Sequence, residues 1–292
     1  MKKIVGIIVF VVLIAGSSAF FFLDKIETSF RDFFSEIKEL KSAEIHEIVE
    51  SLAEDVFAPP PIKKTGGSAA ATLATEKILE ATNRERVSTG LKPITAEKRL
   101  NDAASEKIND MIAKNYFAHI SPGGKGVDGW VKEAGYRYIL IGENLAMGNF
   151  TDEEDLVAAW MNSPGHRANI LNPKFTEIGI AAKKGTVEGA TALIAVQIFG
   201  LPVSACPEPD ETIKMTIEAL DHELKSQKTH IDELRERMEN KKKENDREAY
   251  SSLTEEYIIA ASRYNKAVES AKSLVAFYNT GVRAFNSCAL AL

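Results

Sequence analysis

An uncharged run near the amino terminus limits the possible topologies of this chain more than any other feature. The run covers twenty residues, from Ile4 to Leu23, and is flanked by Lys2 and Lys3 on one side and Asp24 on the other. Twenty helical residues at about 1.5 Å each span the hydrocarbon core of a bilayer, which is roughly 30 Å thick. Residues 1–25 are therefore predicted to be a transmembrane anchor, with the lysines in the cytoplasm and the rest of the chain outside it.

A cleavable signal peptide is the alternative interpretation of the same run. Ser17, Ser18 and Ala19 would suit a signal peptidase, and the chain would be secreted if residues 1–19 were removed. We favour the uncleaved, single-pass anchor because residues 20–23, all apolar, extend the run past this cut. Both interpretations export the remaining chain, so Cys206 and Cys288 are expected to form a disulfide.

Charge and composition exclude one class of partner. The net charge is -6 and the hydrophobic content is 45%, which is typical of a folded protein without a basic face. Nucleic acid is therefore not an expected partner, whereas the membrane is one through the amino-terminal helix.

The region after the anchor divides into a predicted helix and a predicted linker. Residues 26–57 carry apolar side chains at helical spacing and predict an amphipathic stalk helix. These side chains are Ile26, Phe30, Phe33, Ile37 and Leu40. Residues 58–71 combine prolines with glycines and are predicted to be a linker that builds no core, so that a domain boundary follows.

Residues 72–200 predict an α+β domain. Helical periodicity covers residues 74–87 and 96–115, and a glycine-rich stretch at 121–130 is expected to be a loop. Three short runs rich in isoleucine and valine, at 138–148, 177–184 and 190–200, are predicted to be strands. Helices that lead into a small antiparallel sheet favour an α/β/α sandwich.

Residues 201–292 predict an antiparallel helical hairpin of the coiled-coil type. One heptad register runs from Ile213 to Met238, and a polar stretch at 240–248 is suited to a turn. The second register is assigned to Tyr250, Leu253, Tyr257, Ala260, Tyr264, Ala267, Ala271, Leu274, Tyr278 and Phe285. Such a hairpin returns Cys288 to the neighbourhood of Cys206.

Two of the five histidines occupy positions that suggest a site. His46, His222 and His230 lie in charged helical stretches and are expected to be solvated. His119 precedes the glycine-rich stretch, and His166 lies in the turn that follows Ser163. Glu143 lies inside an apolar strand pattern, where an unpaired charge would cost several kcal/mol. It needs a partner, and the two imidazoles are the candidates.

At these residues the sequence resembles the bacterial branch of the CAP superfamily, named for cysteine-rich secretory proteins, antigen 5 and pathogenesis-related proteins and also called SCP domains. The similar motifs are YFAHISPGG, GENLAMG, WMNSPGHRANIL, FTEIGIA and VQIFG, in this order within residues 72–200. The resemblance implies a CAP-type α/β/α sandwich whose cleft carries two histidines and two acidic residues. His119, Glu143 and His166 match three of these, and the fourth falls on Ser163, a departure that weakens any mechanism with two carboxylates.

Three functions are compatible with this pattern. The first is an extracytoplasmic, membrane-anchored binding module that takes a lipid, an envelope component or a protein partner at His119, Glu143, Ser163 and His166. The second is a metal-assisted, peptidase-like hydrolase, in which His119 and His166 bind a divalent metal such as zinc with Glu143 as a direct ligand or as a hydrogen-bond partner of a ligand, or a His-Glu pair is the general base. The third places the working surface on the hairpin. Glu143 could also have a purely structural role and tie the two histidine-bearing loops to the sheet by hydrogen bonds. We rank this role and ligand binding together above catalysis because both cysteines lie outside the domain and no GxSxG motif is present.

Overall fold

The structure, a computed structural model, describes residues 56–66, 70 and 72–292. The predicted anchor and nearly all of the predicted stalk lie outside these residues. Among the helices that are described, none combines the length and the hydropathy of a membrane span. The chain divides into two compact units, of which one contains residues 207–287 and the other contains the described residues up to 206 together with 288–292.

The first unit along the chain contains six strands and five helices in its described part, and the second contains two long helices. In chain order they are β1 (Val56–Phe57), β2 (Ile62–Lys64), α1 (Thr75–Ser88), β3 (Thr95–Ala96), α2 (Lys98–Ala113), α3 (Val127–Glu133), β4 (Tyr138–Gly148), α4 (Glu153–Met161), α5 (Pro164–Ile170), β5 (Glu177–Val187), β6 (Ala190–Pro202), α6 (Glu211–Lys243) and α7 (Arg247–Ala291).

The α+β class is confirmed, and the sheet is mixed rather than purely antiparallel. Its order is β1-β4-β6-β5-β3, and β2 also pairs with β4. The three long strands are antiparallel neighbours, as predicted, but β1, β2 and β3 add to the two edges in parallel. Sequence periodicity does not reveal these additions, because strands of two or three residues are too short to show an alternation.

Side-chain alternation along the three long strands builds a hydrophobic core on each face of the sheet. One core joins α2 and α3 to strand residues such as Leu145 and Val196. The other joins α1, α4 and α5 to strand residues such as Ala146 and Phe199. The unit is therefore a sandwich of helices, sheet and helices. The glycine-rich stretch at 121–130, which we expected to be a loop, contains the start of α3.

The linker prediction for residues 58–71 is wrong for its first part. Residues 56–64, which we call the strap, contribute β1 and β2 to the sheet and lie along the edge of β4. The stalk-helix prediction is also wrong for Val56 and Phe57, which are extended. Three consecutive prolines were interpreted as a linker signal, but proline is also tolerated on an edge strand, where a missing N–H donor costs no ladder bond.

Gly179 allows α2 to approach β5 closely. A Cβ atom at this position would lie 2.0 Å from the backbone carbon of Leu100 and 2.5 Å from the backbone nitrogen of Asn101. The Asn101 side chain accepts a hydrogen bond from the Ile180 amide at 2.8 Å. The glycine in the FTEIGIA motif is thus required because the first turn of a helix lies directly on the strand.

The two long helices of the second unit share one core and are joined by a turn at residues 244–246. In α6 this core contains the predicted Ile217, Leu224, Ile231 and Leu234. In α7 the register is shifted at some positions, since Ala261, Val268 and Val275 are buried while Ala260, Ala267 and Leu274 are only partly buried. Valine buries more apolar surface than alanine, which favours the shifted seam. The predicted hairpin domain also begins later than residue 201, because β6 continues to Pro202.

The predicted disulfide between Cys206 and Cys288 is present and closes a sequence separation of 82 residues. Helix α7 continues past Cys288 to Ala291, so this cysteine is not in a frayed tail.

We predict that Gly179→Ala lowers the free energy of unfolding of the first unit by about 3 kcal/mol, because the new methyl group meets backbone atoms that cannot move aside. Both tryptophans, Trp130 and Trp160, lie in this unit, so their fluorescence during denaturation reports on it alone. Gly123→Ala is the matched control, since its Cβ would have only one neighbour, at 3.8 Å. Equal stability of the two variants would contradict the proposed contact.

We predict that the purified, non-reduced chain contains no reactive thiol, and that Cys288→Ser destabilises the hairpin. In the chain-entropy model, a disulfide that closes a loop of this length stabilises the folded state by about 4–5 kcal/mol. Strain in the folded state commonly makes the measured stabilisation smaller. Circular dichroism at 222 nm follows the hairpin because α6 and α7 contain most of the helical residues in the part of the chain that the structure describes. Two labelled thiols per chain, or an unchanged melting temperature of the variant, would disprove the prediction that this disulfide forms and stabilises the hairpin.

Candidate functional site

The candidate site is built around Glu143, in the middle of β4. Gly142 leaves room for the Asn169 side chain, whose Oδ1 atom would lie 3.1 Å from a Cβ at this glycine. Glu143 and Asn144 then point to opposite faces of the sheet because side chains alternate along a strand. Both residues are fully buried. The Gly-Glu-Asn sequence thus places two polar side chains in the two cores, next to the sheet edge that carries the strap.

His119 contacts both the buried carboxylate and the strap. Its Nδ1 atom lies 2.5 Å from Oε1 of Glu143, and its Nε2 atom lies 2.7 Å from the backbone carbonyl oxygen of Pro59. A carbonyl oxygen only accepts hydrogen bonds, so Nε2 must carry a proton and donate it. One further proton lies between Nδ1 and the carboxylate. In this arrangement His119 is a donor to the strap and has no free lone pair on Nε2.

Lys107 supports this pair from within the α2 core. Its side chain is fully buried, and Nζ donates to the backbone carbonyl of His119 at 2.6 Å. Burial lowers the pKa of Lys107, and the nearby carboxylates of Glu143 and Asp110 partly oppose this shift. The lysine therefore fixes the position of His119 and brings a positive charge close to Glu143.

His166 is presented by the turn between α4 and α5. Pro164 begins α5, and Ser163 lies at the N-cap position without a side-chain capping bond. The serine hydroxyl instead lies 2.8 Å from Nδ1 of His166. Ser163 thus occupies the place that the family resemblance assigns to a second acidic residue, and it contacts the histidine directly.

Burial lowers the pKa of His166 to about 4, and the nearby His119 adds to this shift, while the backbone carbonyl of Leu145 opposes it. The imidazole is therefore neutral at neutral pH. The structure joins the four predicted residues as two contacting pairs, His119 with Glu143 and Ser163 with His166, and we call these four residues together the cleft.

Two buried polar atoms of the cleft lack a hydrogen-bond partner. They are Oε2 of Glu143 and Nε2 of His166. An unsatisfied buried polar atom costs about 1–3 kcal/mol. These two atoms can still bind a donor and an acceptor, respectively.

Asparagine side chains link the cleft to the core on the other face of the sheet. Asn169 Nδ2 donates to Asn144 Oδ1 at 2.9 Å and to the Phe57 carbonyl of the strap, also at 2.9 Å. Asn144 Nδ2 lies 3.2 Å from Gln197 Oε1, and Gln197 donates to Thr82 at 2.8 Å. The position of α5, and with it His166, is thus fixed by a buried polar network.

The side chains as arranged here do not fit the predicted zinc site. In the described part of the chain, no three or more His, Cys, Asp or Glu side chains are grouped so as to hold a metal ion. Both ring nitrogens of His119 are occupied, by Glu143 and by Pro59. Metal binding by His119 and His166 therefore stays a prediction.

Sequence analysis missed Lys107, Asn144, Asn169 and Gln197. Asn144, Asn169 and Gln197 lie in the motifs that carry the family resemblance, and each interrupts an apolar pattern as Glu143 does. Lys107 follows Ala103 and Ala104 on the buried stripe of α2, where a lysine is unexpected. The same criterion that identified Glu143, a polar residue at a predicted core position, would have found all four.

We predict that the first unit loses stability on acidification because of His166. Its pKa in the folded state lies below the ordinary 6.5, so the stabilisation is complete above pH 6.5 and declines as the pH falls towards about 4. The shift corresponds to about 3 kcal/mol. Between pH 7 and pH 4, the free energy of unfolding of the wild type should fall by about 3 kcal/mol more than that of His166→Gln. Tryptophan fluorescence during denaturation measures this difference. Parallel pH profiles would contradict a buried neutral imidazole.

Comparison with known proteins identifies the domain. Residues 79–199 match the family model described as CAP, the cysteine-rich secretory protein family. The chain is 44% identical over 127 residues to the uncharacterized protein YkwD of Bacillus subtilis, covering 42% of this chain and 49% of YkwD. It is 31% identical over 113 residues to the uncharacterized membrane protein YlbC of the same organism, covering 39% of this chain and 32% of YlbC. The chain thus spans about half or less of these relatives.

Two solved structures are similar to part of the chain. One is an extracellular protein containing an SCP domain from Bacillus anthracis, with a TM-score of 0.38 and 28% identity, covering 43% of this chain and 39% of that protein. The other is an outer surface protein from Borrelia burgdorferi, with a TM-score of 0.37 and 19% identity, covering 45% of this chain and 97% of that protein. Given the family match and the identity to YkwD, residues 79–199 form a CAP domain and belong to the CAP superfamily.

Proposed function

We propose that this chain is an extracytoplasmic binding module, held at the membrane by residues 1–25, that takes its ligand in the cleft of the CAP domain. The disulfide between Cys206 and Cys288 supports export, because such bonds persist in oxidising compartments. The similarity to YlbC, which is named a membrane protein, supports the membrane location.

The observation that carries the binding role is the hydrogen bond from His119 Nε2 to a carbonyl oxygen. Glu143 and Lys107 hold this histidine so that its donor points out of the cleft, towards the strap. Asn169 supplies a second donor nearby. Fixed donors of this kind bind a ligand rich in carbonyl or similar acceptor oxygens.

The alternative, a metal-assisted hydrolase, has less support. General-base chemistry at His119 would need a lone pair on a ring nitrogen, and both nitrogens are engaged. A second carboxylate is replaced by Ser163, which contacts His166. Glu143 is the only carboxylate among the four cleft residues.

Site-specific photocrosslinking in intact bacteria that export the chain tests the binding role. Ile120 follows His119 and is 57% exposed, so benzoyl-phenylalanine at this position should crosslink to the ligand. The crosslinker at Val87, which is 56% exposed on α1, is the matched control. We expect an adduct at Ile120 that is at least tenfold weaker in a His119→Ala background and weak at Val87. Equal adducts at both positions would contradict a ligand site in the cleft.

The hydrolase alternative predicts a different result. If it is correct, the purified chain retains about one zinc ion and degrades casein, and His166→Ala loses both properties. If the binding proposal is correct, the wild type and His166→Ala do not differ in casein degradation.

A further inference from the structure

We infer that the cleft recognises an extended, proline-containing polypeptide that pairs with the edge of β4, and that the strap is a built-in copy of such a ligand which an external partner must displace. This inference rests on the proposed binding function and names the ligand class. It is drawn from how the strap is held, through its backbone, its proline and its half-buried side chains.

The strap binds in the manner of a peptide added to a sheet. Val56 and Phe57 pair in parallel with Ile141 and Gly142, and residues 62–64 pair in parallel with residues 146–148. Addition of a strand to an exposed edge is a common mode of peptide recognition, because backbone hydrogen bonds provide affinity for any extended sequence. The edge of β4 can therefore accept another segment in place of the strap.

Two side chains of the cleft contact alternate carbonyl groups of the strap. Asn169 Nδ2 donates to the Phe57 carbonyl at 2.9 Å, and His119 Nε2 donates to the Pro59 carbonyl at 2.7 Å. Carbonyl groups two residues apart point the same way in an extended chain, so this pair of donors recognises extended backbone. The contacts do not depend on the side chains of the ligand.

Gly165 leaves room for the residue at strap position 59, and the preference for proline there comes from its missing N–H group. A Cβ atom at this position would lie 2.5 Å from Cβ of Pro59, and the three nearest atoms all belong to this proline. The glycine thus provides space for the pyrrolidine ring at the start of α5. Proline also lacks an N–H group, which suits the interval between the two paired stretches, where residues 58–61 pass residues 143–145 without pairing.

The strap is held firmly enough to occupy the site but is not part of the core. None of residues 56–64 is fully buried. Val56 and Ile62 pack at the margins of the two cores, and Lys64 pairs with Asp155 at 2.6 Å. A ligand tethered in this way competes at an effective concentration in the millimolar range, so an external peptide must bind tightly or act after the strap has opened.

The test uses the intact chain and a strap-side variant. Val56→Asp with Ile62→Asp removes the apolar contacts of the strap and leaves every cleft residue unchanged. The probe is a fluorescent peptide with the wild-type sequence VFAPPPIKK of residues 56–64. Hydrogen exchange of the strap amides reports opening, and fluorescence anisotropy reports peptide binding. We expect exchange to be at least tenfold faster in the variant, and the peptide to bind it at least tenfold more tightly than the wild type.

A second substitution identifies where the peptide binds. Gly165→Ala, added to the strap-side variant, should weaken peptide binding at least tenfold, because its methyl group takes the place of the proline ring. Alanine is the better helix former, so this change does not disfavour α5. Gly123→Ala in the same background is the matched control and should have no effect, and a peptide with serine in place of the three prolines should bind more weakly.

The outcomes separate this inference from the proposed function. If the strap-side variant fails to bind the peptide, or Gly165→Ala leaves binding unchanged, the inference is overturned, whereas an Ile120 adduct that depends on His119 would still uphold a ligand site. If vesicles of anionic phospholipid speed exchange of the strap amides in the wild type and the peptide does not, the ligand is a lipid and the polypeptide assignment is wrong. If the peptide binds the wild type and the variant equally, the strap is not a competitor.

Discussion

The burial of one carboxylate, that of Glu143, determines the arrangement of the cleft. An ionised group without access to water is tolerated only when opposite charges and donors surround it. His119 supplies a direct contact at 2.5 Å, and Lys107 adds a positive charge from the neighbouring helix. Since His119 uses Nδ1 for this contact, Nε2 is left as a donor that points away from the core. The orientation of the ligand-facing atom is thus a consequence of satisfying a buried charge.

Strand alternation extends this arrangement to both layers of the sandwich. Glu143 faces the side of α2, while Asn144, one residue later, faces the side of α5 and contacts the His166 carbonyl at 3.3 Å. Adjacent residues of β4 therefore contact elements of opposite layers. Substitution of Glu143 would disturb contacts on the α2 side and substitution of Asn144 those on the α5 side, so the site depends on both residues.

Sequence reasoning succeeded where the determinants are local and failed where they are not. β4 has the predicted bounds, because a run of Ile, Leu and Ala between glycines signals a strand by itself. Glu143 was identified for the same reason, as a charge in an apolar pattern. The strap was missed because its pairing depends on an edge some eighty residues later in the chain, and three prolines resemble a linker locally. Lys107 was assigned to a helix but not to a core, since one lysine does not disrupt an amphipathic pattern.

The strap also covers an edge of the sheet that would otherwise be exposed. An exposed edge strand presents unpaired backbone groups that attract other chains, and natural proteins cover or interrupt such edges. Here the strap pairs with β4 at both ends but leaves the ladder at residues 58–61, opposite Glu143. The interruption lies where His119 and Asn169 donate to the strap, so side chains satisfy carbonyl groups of the strap next to the stretch where the backbone ladder is absent. Protection of the edge and recognition of backbone carbonyls are therefore the same contact, and a partner that uses the cleft must also take over the edge.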